Sequence, residues 1–536
     1  MIQLGTQLPC FLTIISGQDD FRVYPYLQNP SPTAMSVVWF SEEATAGSLS
    51  YRLQNSEIEK TLTSNPVLVE TLDYTLWEDT TYFENGAPSI PYRHAIRIQD
   101  LEPSKVYEYK VIQGSSSFGS IFHTAPEGNC PIRFIVYGDS ETEPESTGKF
   151  VDWPDPTSDS DRVYLVDQTT GYRNNLSLIQ SRQPDLVFIA GDLVESGGEQ
   201  RDWDEFWLHN TDADSTKSIA GSIPVMPALG NHDYYAGPYQ GKYDQPFSER
   251  AVNKYLTYFE VPENHSPVVE EEGRYYAFDY GPASFIVLDV CNNDTNLSSF
   301  DTNILLKGPR DSAGGYAPGF EMNSRQYEWM VNRLIEAQLN RLFTFVITHH
   351  APYSVGPHGQ PPGEEEGQDT HSGIPVRTLT PVFMQYGVDA VISGHDEMWE
   401  RSEISGEEIS PNGMGREHIL HFYDVGIGGD GLRGPFDSLV NPHQKFLAHT
   451  HSPEIWEDTI LVSGGKHYGH LEVDISELDS ITWQAVLKPV YVLPVIDSLS
   501  DEYTDYDRRT YDDEVILLQD FGDIAVPVEI TSRSDE

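Results

Sequence analysis

Cysteine, basic residues and long apolar runs are all scarce in this chain, and each scarcity closes off a class of protein. Three cysteines (Cys10, Cys130, Cys291) make an odd count with no C-x-x-C spacing, so neither a disulfide framework nor a cysteine-held zinc knuckle is supported. Only 33 lysines and arginines stand against 84 acidic residues, for a net charge of −51 at pH 7. Nucleic acid and anionic membranes are recognised through basic patches, so neither is an expected partner. No stretch reaches the roughly 18 apolar residues that span a bilayer. Residues 1–18 carry no charged side chain and include Leu8-Pro9-Cys10-Phe11-Leu12. They read as a worn secretory segment that lacks the usual basic start. Internal repeats and low-complexity tracts are missing as well. The acidic balance suits a salt-rich or extracellular setting, or simply an acidic soluble protein.

What the chain does have is material for more than one core. Its 536 residues exceed the usual size of a single core, and 38% of them are hydrophobic. Residues 20–126 read as all-β, with strand-like runs at 34–40, 107–111 and 120–122 between turn clusters. From Ile132 the pattern becomes strand, turn, helix, which predicts a layered α/β domain over 127–494. Helices are predicted at 174–182, 200–208 and 324–339. In the last of these, Tyr327, Met330, Val331 and Leu334 form a core-facing stripe. Residues around 468–473 predict a closing hairpin, and 495–536 reads as an acidic, peripheral tail. Long connections at 141–171, 291–322, 353–376 and 428–460 are candidates for a substrate rim.

The chemistry lies in a recurring device. Five short apolar runs each end in a turn that carries a metal-binding residue type. Residues 132–137 lead into Gly138-Asp139, and 186–190 into Gly191-Asp192. Residues 225–229 lead into Gly230-Asn231-His232-Asp233, 343–347 into Thr348-His349-His350, and 390–392 into Ser393-Gly394-His395-Asp396-Glu397. In open α/β sheets, ligands collect at the C-terminal edge of the strands. Asp, Asn and His are donors that first-row metals accept. Five such endings in one chain predict a metal site.

The ordered set Gly-Asp, Gly-Asp, Gly-Asn-His-Asp, His-Ala-Pro and Gly-His-x-x resembles the calcineurin-like metallophosphoesterases, and within them the purple acid phosphatases. Tyr26-Leu27-Gln28-Asn29-Pro30 is similar to that family's opening, and the likeness runs to about residue 490. It implies two stacked mixed sheets flanked by helices, preceded by a fibronectin type III-like domain. It also implies two metal ions with Asp192 between them, Asp139 on the first, and Asn231, His350 and His395 on the second. His350 is preferred over His349 because it directly precedes Ala351-Pro352; His349 is then a supporting or packed residue.

Around the first ion the chain departs from its relatives. Glu141 stands where the family has Gly or His, Glu195 where the purple enzymes have the tyrosine that gives their colour, and Glu397 where the last motif has His. Three changes to one residue type suggest a site retuned toward a hard cation: Fe, Mn, Ca or Mg at the first position, with Zn, Mn or Fe at the second. Five carboxylates cannot all ligate one divalent ion, so some must act from outside. Glu397 is the first expected ligand, then Glu195, then Glu141.

The expected activity is hydrolysis of a small phosphomonoester by metal-activated hydroxide. His232 is the candidate acid for the leaving oxygen, steadied by Asp233, and His358 is a second candidate substrate contact. A phosphodiesterase or nucleotide hydrolase, and a metal-binding protein with a degraded first site, are the alternatives. The family resemblance also implies a secreted or periplasmic protein.

Overall fold

A computed structural model describes residues 20–149, 166–291, 299–303, 305–306, 316–361, 371–411, 413–436, 438–450, 452, 455–457, 460–496 and 503–520. The leader-like segment and residues 521–536 lie outside them, as do parts of each long connection. No helix among the described residues is long and apolar enough to cross a membrane.

The N-terminal unit is built from two four-stranded antiparallel sheets. One runs Phe21–Gln28, Met35–Ser41, Tyr92–Ile98 and Val67–Leu68; the other runs Lys60–Thr63, Ser48–Leu53, Val106–Gln113 and Ser116–His123. Strand Met35–Ser41 shows why its sequence is apolar on both faces. Met35, Val37 and Trp39 point into the core between these sheets, joined by Leu49, Tyr109 and Phe118. Val38 and Phe40 point the other way, into a second core shared with Trp203, Trp207 and Tyr258 of the following domain. The period of two along a strand puts the first domain against the second on a broad apolar face.

The larger domain stacks two seven-stranded sheets. In the first, Val225–Pro227, Leu186–Ile189 and Ile132–Tyr137 are parallel neighbours, continued by the antiparallel strands Gly469–Glu477 and Thr482–Ile496. In the second, Ala283–Val287, Phe343–His350, Ala390–Gly394 and Gly415–Val425 are parallel. Alternate residues of both sheets meet between them: Phe134, Val136, Phe188 and Ala190 pack with Phe285, Phe345, Ile347 and Ile392. The opposite faces are covered by helices, among them Gln168–Arg182 and Gln200–Asn210 on the first sheet and Arg325–Asn340 on the second. Side-chain caps start two of these: Asp167 accepts from Thr170 N, which begins that helix six residues before the predicted start at 174, and Ser324 accepts from Tyr327 N. In the last helix Met330 and Leu334 are buried, while Tyr327 and Val331 pack at the margin.

The segment expected to be a peripheral acidic tail is part of the first sheet. Strand Thr482–Ile496 pairs with both Tyr503–Thr510 and Val515–Asp520. The charges hide a core-facing set: Tyr503, Tyr506, Val515 and Leu517 turn toward the core, Asp505, Asp507, Asp512 and Glu514 face water, and Asp513 is buried against Arg401. An ionic clamp ties this addition down. Glu472, fully buried on strand Gly469–Glu477, accepts from Arg182 at 2.8 and 3.0 Å and from Arg508 at 3.2 Å. Burial alone would raise its carboxyl, but the two arginines outweigh it and hold it at about 2. Because the folded value lies below the unfolded one, this stabilisation is complete above about pH 5 and drains away as the pH falls toward 2. Glu472→Gln is expected to cost about 2 kcal/mol at neutral pH and to flatten the acid limb of a urea-stability profile. An unchanged limb would show that the clamp contributes nothing.

Candidate metal centre

The strand endings converge because the two sheets present their C-terminal edges at the same end of the sandwich. Asp139 N donates to Gly191 O (3.1 Å) and Ser140 N to Asp192 O (3.0 Å), so the first two turns lie side by side. Across the sheet interface, His395 N donates to both oxygens of Asp139, at 3.0 and 2.8 Å. His232 N donates to Asp192 Oδ1 at 2.7 Å. The backbone is strained where these ligand candidates sit: Asp139, Asp192, His395 and Glu397 have φ of 56°, 50°, 86° and 40°. Non-glycine residues seldom adopt positive φ, and such strain is retained where a site is over-determined by its surroundings.

Glycine makes the approach of the turns possible. A Cβ on Gly394 would lie 2.2 Å from Asp139 Oδ2, and one on Gly230 would lie 2.1 Å from Asp192 Oδ1.

Among the described residues, three clusters have ligand atoms within 4.8 Å of one another: Asp192 with His349 and His395; Glu141 with Asp192 and His232; and Asp139 with Glu141 and Glu397. They share members and so form one continuous centre. His350 is buried beside it, its ring 4.3 Å from that of His395, and neither of its ring nitrogens has a hydrogen-bond partner. Burial and the neighbouring histidines push the imidazoles of His350 and His395 well below their ordinary value, which leaves them neutral, the form that binds metal. Asn231 is buried, and its Oδ1 lies 2.9 Å from His349 Nε2.

The acids on the other side are crowded. Burial, with the neighbouring Asp192, lifts Asp139 to about 7 against the pull of His349. Burial and nearby carboxylates push Glu141 well above the carboxylate range, and burial does the same to Glu397 against the pull of Arg433. Glu141 Oε2 is buried with no hydrogen-bond donor, His232 Nδ1 standing 3.4 Å off. The bare ring nitrogens of His350 on one side and the unpaired, buried Glu141 Oε2 on the other are what a cation would satisfy. The donor set therefore fits metal ions.

Several residues stand differently from the sequence expectation. Asp233 does not steady the His232 ring; its carboxylate accepts from Gly230 N (2.8 Å) and Leu193 N (3.2 Å), bracing two of the turns. The His232 ring is held by the Glu195 carbonyl, 2.7 Å from Nδ1. The Glu195 carboxylate joins none of the three clusters, so among the glutamates Glu141 and Glu397 come together and Glu195 stays at the rim. His349, expected as support, lies in the centre: its Nε2 is 2.9 Å from Asp192 Oδ2 and its Nδ1 2.8 Å from Ala190 O. The His358 ring is stacked on that of His395 at 4.0 Å. Two participants were not foreseen. Asp430 follows a sixth strand ending, Gly426-Ile427-Gly428-Gly429, a glycine signal of the same kind as the other five, and its backbone N–H donates to Asp139 O at 2.9 Å. Arg433, three residues on, pairs with Glu397, and no motif announces it.

Such a constellation at the edge of two stacked sheets defines a class. Residues 133–396 match the calcineurin-like phosphoesterase family and form a domain of that kind. Residues 21–125 match the purple acid phosphatase N-terminal domain, so the domain order is that of the purple acid phosphatases. An uncharacterized protein of Mycobacterium tuberculosis is 27% identical over 65% of this chain and 60% of its own length. Purple acid phosphatase 1 of Ipomoea batatas is 24% identical over 76% of the chain and 70% of its own length. Among solved structures, a purple acid phosphatase from yellow lupin seeds superposes with a TM-score of 0.57 at 17% identity, covering 94% of this chain and 75% of that one. This chain thus spans 60% of the length of the mycobacterial relative.

Proposed function

We propose that the protein is a metal-dependent phosphoric ester hydrolase acting on small phosphomonoesters through a two-ion centre. The observation that carries this reading is the joining of three ligand clusters through Asp192 and Glu141. Asp139, Glu141 and Glu397 would hold one ion and Asn231, His350 and His395 the other, with Asp192 between them and His349 against its second oxygen. Bound metal at such a site supplies positive charge to the phosphoryl oxygens and lowers the pKa of water toward neutrality. The chain itself supplies orientation and a proton. The His232 ring is fixed at Nδ1 by the Glu195 carbonyl and is partly open to solvent, which leaves Nε2 to serve the leaving oxygen. Asp233 keeps the turn beneath it rigid.

The three substituted glutamates favour one competing reading, a metal-binding protein whose first site no longer turns over. Assays of p-nitrophenyl phosphate and its bis ester with Mn²⁺, Fe, Zn²⁺ and Ca²⁺ separate the two. Turnover of the monoester with at least one metal is expected, and ions bound without any turnover would overturn the hydrolase. Because Glu195 stands in place of the colour-giving tyrosine, the iron-loaded protein is expected to show no tyrosinate band in its visible spectrum. A visible band of that kind would place a phenolate where we place the rim glutamate.

A further inference from the structure

We propose that Arg433 grips the phosphoryl group and sets a preference for monoesters over diesters; this rests on the phosphoesterase reading above. The residue is held in the site by its backbone and by its side chain. Arg433 N donates to Glu397 O at 2.9 Å, and Arg433 O lies 3.2 Å from His449 Nδ1. Its Nε pairs with the Glu397 carboxylate, and Nη1 stands 3.2 Å from His358 Nε2. The side chain is 40% exposed while that of Glu397 is 4% exposed, so Arg433 reaches from solvent to the buried acid.

The charge balance around it calls for such a group. Asp139, Glu141, Glu397 and Asp192 are all buried together, and a dianionic ester must approach them. Lys149, another cation on this rim, pairs with Glu143. A guanidinium carries five N–H donors in a planar fork that matches the oxygens of a phosphoryl group. Glu397 takes Nε and His358 stands against Nη1, which leaves the two N–H groups of Nη2 for substrate. A monoester has three terminal oxygens and two negative charges; a diester has two terminal oxygens and one charge. A monoester can therefore face the metal ligands with two oxygens and still offer a third to Arg433. A diester cannot do both.

The test uses the full chain loaded with Mn²⁺, with Arg433→Gln and Arg433→Lys beside it. Three quantities are measured: bound metal, the Kd for inorganic phosphate by calorimetry, and kcat and KM for p-nitrophenyl phosphate and its bis ester. Arg433→Gln is expected to keep its metal, weaken phosphate by about tenfold to a hundredfold, and raise KM for the monoester similarly, while kcat/KM for the diester stays within about threefold. Arg433→Lys should recover part of the phosphate affinity, since it restores the charge but not the fork. An unchanged phosphate Kd, or equal losses on both esters, would overturn the proposal. So would loss of metal from Arg433→Gln, because Arg433 would then merely prop Glu397. If the unaltered protein cleaves neither ester, the hydrolase reading falls, and the phosphate titration decides Arg433 by itself.

Discussion

Asp192→Asn is expected to lower turnover of a phosphomonoester by on the order of a thousandfold and to reduce the metal retained after dialysis. Asp192 is the one carboxylate shared by the histidine cluster and the Glu141 cluster. Its two oxygens already have assigned neighbours, His232 N at 2.7 Å and His349 Nε2 at 2.9 Å. An amide can accept through one of those positions but not both, and it brings no charge. Burial would raise the carboxyl, but His349 and His232 hold it below the usual range, so aspartate is charged here and asparagine is a change of charge. The substitution keeps the shape, and the fold should survive it. Elemental analysis beside a rate measurement is the check. If the variant retained both its metal and its rate, the centre would have to be organised around some other group.

The second large effect is steric. Gly230→Ala places a Cβ 2.1 Å from Asp192 Oδ1 and 2.3 Å from Asp192 N. Because one of those atoms is backbone, a side-chain rotation cannot relieve the clash, and the turns after strands Leu186–Ile189 and Val225–Pro227 must move apart. The expected result is loss of activity by about a hundredfold or more, since a displacement near 1 Å is enough to misplace reacting groups. A stability loss of about 1–3 kcal/mol should accompany it, the usual cost of overpacking. Gly128→Ala is the control: nothing lies within 4 Å of its added carbon, and it should leave both rate and melting temperature unchanged. Equal behaviour of the two variants would mean that the two turns are not held as close as described.

The residue types that hold the centre are legible along the chain, because an apolar run that stops at Gly-Asp or Gly-Asn-His is a local event. Strand and ligand are neighbours in sequence there, and the physics that ends the strand also exposes the carboxylate. Helix starts are legible for the same reason, as Ser324 shows by capping Tyr327 N. The C-terminal strands were hidden by their charge. Tyr503–Thr510 carries four ionisable side chains besides its tyrosines, and only the edge offered by Thr482–Ile496 turns that polarity into a paired strand with a wet face and a dry one.

The sequence by itself determined that five strand endings would carry Asp, Asp, Asn, His and His, and that three glutamates would stand where relatives have other residues. Tertiary structure alone decided what those groups do for each other. It brought endings from two different sheets to one edge, and it drew His349 into the centre while leaving the Glu195 carboxylate at the rim. It also turned Asp233 into a brace between turns and set the Arg433 guanidinium against Glu397. A residue's type is carried in one letter, but the charge it faces comes from segments up to hundreds of residues away, and only packing brings those together.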